Sequence, residues 1–136
     1  MSKTALIFIC FFIHLTALSQ NNANFDRFLE ILGKLESSNN DAAIGDNGLA
    51  RGRYQIHRAC FDDARAYDKN LNKYNYQNVN NKLVADRVVR AYCMRYEPKG
   101  NFESWARLWN SGPGWKNKRN LTNKYYRKFL DLSQNK

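Results

Sequence analysis

The chain has 136 residues, with 22 Lys and Arg against 12 Asp and Glu and a formal charge of +10. That length fits one domain with a small core rather than several. The charge points to anionic partners without choosing among bacterial envelopes, acidic glycans, nucleic acids and anionic lipid, and the lack of any long Lys/Arg block argues against a dedicated nucleic-acid arm.

The first nineteen residues read as a secretory signal. Lys3 is the positive start, "ALIFICFFIHLTAL" is the apolar run, and Ala17 and Ser19 are small residues at −3 and −1 of a cut before Gln20. The run of 14 residues is short for a span of roughly 20. Residues 1–19 are therefore expected to be removed, leaving one soluble, exported domain, residues 20–136, of charge +9 once Lys3 is gone.

Phe25, Phe28, Leu29, Leu32 and Leu35 recur at helical spacing and predict a first helix, with Asn24 as N-cap and Gly33 as a weak point. A polar loop follows from Ser37 to Arg53, whose "GDNG" predicts the tip of a small β-hairpin. A second helix is expected from Ile56 to Tyr67, with Ala59, Cys60, Asp63, Ala64 and Tyr67 on one side. After an Asn-rich connection, a third spans Asn81 to Tyr96 on Val84, Val88, Ala91, Tyr92 and Tyr96, and stops at Pro98 and Gly100. Phe102, Trp105, Ala106 and Trp109 make a fourth, ended by "NSGPGW". A fifth begins near Thr122 and carries Tyr125, Phe129 and Leu132. Five helices and one hairpin predict a mostly helical α+β domain.

Cys10 leaves with the leader. Cys60 and Cys93 fall on predicted core faces and, in an exported protein, suit one disulfide; two buried thiols are the alternative. No metal site is expected. His57 is the one histidine after the leader, and neither cysteine sits in a close ligand pair.

Glu36 raises the chemical question. It lies four residues after Leu32 and so continues the buried stripe of the first helix. A carboxylate there is paired by a cation, faces solvent at the helix end, or works as an acid whose pKa burial has raised. The polar residues Ser37 to Asn40, Asp46 in the turn, and Tyr54 and Gln55 beyond it suit a cleft for a sugar polymer, which needs many hydrogen bonds and aromatic faces.

These residues also carry a resemblance. Glu36–Ser37 after an apolar helix, Gly52–Arg53–Tyr54–Gln55–Ile56 after the hairpin and Asn110–Ser111–Gly112–Pro113 late in the chain are similar to the motifs of the lysozyme-like glycosidases. The order and spacing over Leu35 to Phe129 look most like the invertebrate-type (destabilase-like) lysozymes and their short bacterial or viral transglycosylase-like relatives. The resemblance implies a lysozyme-like fold with the hairpin beside an active-site cleft. It implies hydrolysis of peptidoglycan between N-acetylmuramic acid and N-acetylglucosamine, with Glu36 as general acid and Asp46 as second carboxylate. Ser37, Tyr54, Gln55, Asn110, Gly112 and Pro113 would bind substrate. Asp41 is a rival second carboxylate, taken as a solvated loop acid.

Two departures stand out. Invertebrate-type lysozymes are cysteine-rich, and this chain keeps two cysteines. The Ser and Lys of the family's isopeptidase activity are replaced by Ala50 and His57, so that activity is not expected. Two other functions compete: a lytic transglycosylase using Glu36 alone, and a non-catalytic cationic wall-binding protein. No cofactor is expected. The expected partner is bacterial peptidoglycan, with no nucleic acid, no membrane after leader removal, and a monomeric state. "NLT" at Asn120 is a glycosylation sequon in a eukaryotic host or a helix-capping segment.

Overall fold

A computed structural model describes the backbone of residues 3–135 and the side chains of residues 20–135. The expected leader, residues 1–19, lies outside the described side chains. Helix α1, Lys3–Ser37, runs through the expected cut without a break. Next come β1 (Ile44–Gly45), β2 (Ala50–Arg51), β3 (Ile56–His57), α2 (Arg58–Tyr67), α3 (Lys82–Tyr96), α4 (Phe102–Ser111) and α5 (Asn123–Gln134). Short 3-10 helices fill the joints at Asp46–Gly48, Lys69–Lys73, Tyr76–Asn80 and Trp115–Thr122. The result is a mostly helical α+β domain with five α-helices and one small antiparallel sheet in the order β1-β2-β3. Among the described residues, no helix is long and apolar enough to cross a membrane.

The apolar stripe of α1 makes the centre of the core. Phe25, Phe28, Ile31 and Leu32 are buried. Phe25 meets the Trp105 ring edge-on at 4.8 Å, and Phe28 lies 5.5 Å from both Trp105 and Phe129. These contacts lock α1 against α4 and α5. Asn24 is not a helix cap. The chain is already helical upstream, and the Asn24 side chain accepts a bond from the Gln20 amide at 3.2 Å.

Helix α3 has the expected bounds. Its N-cap Asn81 accepts from the amides of Leu83 and Val84 at 3.0 and 3.3 Å, and Ala85, Val88, Val89 and Cys93 are fully buried. In α4, Asn101 and Ser104 exchange side-chain and backbone bonds in a capping box. Gly112 ends α4 at φ +80°, its amide bonded to the Leu108 carbonyl at 2.8 Å.

Four expectations need correction. Ile56 and His57 form the third strand rather than the first turn of α2. The buried side of α2 is Phe61 and Ala64, while Ala59 and Tyr67 face solvent. The Asn-rich connection is not a plain loop, because Leu71, Tyr76 and Val79 bury themselves from its two 3-10 helices. Cys60 and Cys93 stand as free thiols, so the bridge expected from export is not formed in this structure. Burial pushes both thiols up, which suppresses the thiolate.

Arg107 is a buried cation that composition does not foretell. Its side chain donates to Glu103 at 3.0 Å, to the Arg119 carbonyl at 3.0 Å, to the Thr122 hydroxyl at 2.7 Å and to Asn123 at 2.9 Å. It also lies over the Tyr126 ring at 4.8 Å. One side chain thus ties α4, the 115–122 joint and α5 together.

Candidate active site

The end of α1 is shaped by a glycine and an arginine. Ser38 and Asn39 turn the chain at φ +56° and +65°, and their amides bond back to the carbonyls of Lys34 and Gly33 at 3.2 and 2.9 Å. Any Cβ at Gly33 would lie 2.5 Å from the Asn39 side-chain oxygen and 3.1 Å from Arg53 Cγ. The glycine that weakens the helix is what lets Asn39 and Arg53 lie against it. Arg53 then grips Asp41 at 2.7 and 3.3 Å and Asn39 at 2.8 Å. Its bond to Asp41 holds that carboxyl below its ordinary value. Asp41 is thus a loop acid paired with Arg53, its side chain still 43% exposed.

The hairpin stands beside this helix end. Gly45 pairs with Ala50, and Ala50 with His57, in one row across the three strands. Asp46, Asn47 and Gln55 adopt left-handed backbones at φ +49°, +54° and +51°. Among the described residues, every non-glycine with positive φ falls between positions 38 and 55. Such strain persists only where surrounding contacts enforce it, and it concentrates at functional sites. The Gln55 amide donates to the Gly52 carbonyl at 3.0 Å. Its side-chain oxygen fills the space over Gly45, 2.0 Å from where a Cβ would stand. The Asp46 carboxylate bonds to His57 Nε2 at 2.8 Å.

Glu36 sits in the last turn of α1, partly buried, with the Tyr125 hydroxyl of α5 donating to its Oε1. Burial raises its pKa, the Tyr125 bond lowers it, the negative charge of Asp46 raises it further and His57 opposes that. The net direction is up, as a proton donor near neutrality requires. Burial also lifts Tyr125, so its hydroxyl stays protonated and donating.

The structure separates the other expected site residues. Ser37 is a strap, its hydroxyl donating to the Arg53 carbonyl at 2.7 Å and accepting from the Asn40 amide at 3.0 Å. Tyr54 lines a separate pocket with Asn39, Arg53, Lys82 and Asp86, which Glu36 does not line. The tyrosine is 1% exposed, and its hydroxyl bonds to Asp86 at 2.5 Å on the far side. Its carbonyl accepts from the Trp109 indole at 3.2 Å, tying α4 to the strand region. Gln55 is half-buried in the hairpin, while Asn110 and Pro113 are exposed around the turn that Gly112 makes possible. Tyr125 and His57 were missed as site residues. Tyr125 shares the helical stripe of Phe129, and spacing alone shows no difference between a core tyrosine and one aimed at a carboxylate.

Charge is segregated along the C-terminal part of the chain. From residue 104 to residue 130 there are seven Lys and Arg and no Asp or Glu. Lys118, Lys124, Arg127 and Lys128 are exposed on the 115–122 joint and on α5, the helix that carries Tyr125. Among the described residues, no group of three or more His, Cys, Asp and Glu is gathered as a metal would need. Comparison with known protein families, characterised proteins and solved structures finds no match to this chain.

Proposed function

We propose that the chain is a secreted muramidase with a lysozyme-like fold, cutting peptidoglycan between N-acetylmuramic acid and N-acetylglucosamine. The observation that carries this reading is Glu36: a partly buried carboxyl with a raised pKa, at a helix end beside a strained hairpin that presents a second carboxylate. Tyr125 occupies Oε1, which leaves Oε2 to hold the proton and pass it to the glycosidic oxygen. As that bond breaks, positive charge grows on the sugar, and Asp46 stabilises it or attacks it. The motif resemblance supports the same roles, and residues 1–19 would deliver the domain outside the cell.

One observation favours the transglycosylase alternative: the Asp46 side chain is 65% exposed and stands at a hairpin tip. An enzyme using Glu36 alone would not need it. Digestion of purified peptidoglycan followed by mass analysis of the fragments separates the two. Reducing ends mean hydrolysis, 1,6-anhydro ends mean transglycosylation, and intact walls overturn both.

A further inference from the structure

The second carboxylate stands where its own backbone does little to hold it. Asp46 and Asn47 are both left-handed, and among the described residues His57 makes the only side-chain bond to the Asp46 carboxylate. His57 makes that bond from the third strand. His57 lies in one row with Ala50 and Gly45, so side chains there share a face of the sheet. Gln55 fills the space over Gly45, and the imidazole at the other end of the row meets Asp46, the residue after Gly45, at 2.8 Å. The two side chains are 51% and 65% exposed. An exposed pair of this kind adds little to folding stability, so a purely structural role accounts poorly for it.

We propose that His57 is the positioning residue for Asp46, and this rests on the muramidase reading above. The bond at 2.8 Å engages Oδ2 and leaves Oδ1 free. Both the imidazolium and the neutral ring protonated on Nε2 can donate it. One carboxylate oxygen is thus fixed to the sheet while the other is aimed at the sugar, and a bound glycan would cover the pair and strengthen it.

The test compares His57→Ala and His57→Gln with the wild-type full chain on purified peptidoglycan, with Glu36→Gln as control. His57→Ala should lower kcat roughly 10- to 100-fold, the scale of a reacting group held about 1 Å out of place, with KM and melting temperature little changed. His57→Gln, whose amide can donate the same bond, should recover most of kcat. Wild-type kcat in His57→Ala, or a Gln variant no better than Ala, would overturn the assignment. Failure of the underlying reading looks different: a wild-type chain that releases no fragments, matching Glu36→Gln, removes the muramidase and His57's role with it.

Discussion

Glu36→Gln keeps the shape of the side chain and an acceptor for the Tyr125 hydroxyl, but it removes the titrating proton. Two effects of opposite sign follow from burial. Lytic turnover should fall by roughly 10²- to 10⁴-fold, the usual worth of general acid catalysis, or about 2.7–5.5 kcal/mol of barrier. Stability near neutrality should rise. The folded-state pKa of Glu36 lies above the ordinary value of 4.5, so between those two values the folded chain binds more proton than the unfolded one. Stability must then fall as pH rises through that window. Each unit of the shift costs about 1.4 kcal/mol once the carboxyl is ionised. Gln does not titrate and escapes that cost. The assay is denaturant unfolding of both proteins from pH 4 to pH 8, read beside peptidoglycan turnover. The stability difference should grow above the ordinary carboxylate range and then level off. A Gln variant that is no more stable at pH 8 than at pH 4, relative to wild type, would refute the buried acid. Near wild-type turnover would refute its role.

Asp46→Asn should reduce turnover severely if the enzyme is a hydrolase; a mild loss with 1,6-anhydro products would transfer the assignment to the one-carboxylate mechanism. Arg107→Met should cost about 2–4 kcal/mol in denaturant unfolding. That is less than for a fully buried broken pair, because Glu103 keeps Arg119 and partial access to water; an unchanged midpoint would mean that the Arg107 network adds no net stability. Raising salt from 0.1 M to 1 M shortens the screening length from roughly 10 Å to about 3 Å. Clearing of whole cells should therefore fall steeply while cleavage of a short neutral oligomer changes little, and parallel curves would remove the basic face from substrate capture.

The parts legible in the sequence were those whose signal is local. Helix α3 has strong 3.6-residue spacing and its own Asn81 cap, so its bounds could be read directly. The apolar stripe of α1 and the abrupt end of α4 at Gly112 were equally plain. The sheet was half legible: "GDNG" marks the hairpin, but Ile56–His57 becomes a strand only because β2 is there to pair with it. Phe61 was passed over because the helical stripe was counted from Ile56, which belongs to the sheet. Long-range polar contacts were invisible. Tyr54 buries its ring and spends its hydroxyl on Asp86, 32 positions away, and Tyr125 meets Glu36 across 89 positions. No spacing rule distinguishes these two tyrosines, although one is core and the other lies at the acid.

The run of left-handed residues between Ser38 and Gln55 has a consequence for how the molecule fails. Its strands are two residues long, and ahead of the buried Tyr54 much of its hold is polar: Arg53 to Asn39 and Asp41, Ser37 to the Arg53 carbonyl, the Tyr76 hydroxyl to the Leu49 carbonyl, and His57 to Asp46. None of these belongs to the aromatic core of α1, α4 and α5. Segments joined to a domain in this way open at lower free energy than the domain unfolds. On warming, the chain should pass through a species that keeps its helices yet has lost the shape of the loop that carries Asp46. Proteases would nick such a species between the first and second helices while circular dichroism still reported a native protein. Half-life of activity and melting temperature would then measure different events in this molecule, and hardening the loop would lengthen the first without moving the second.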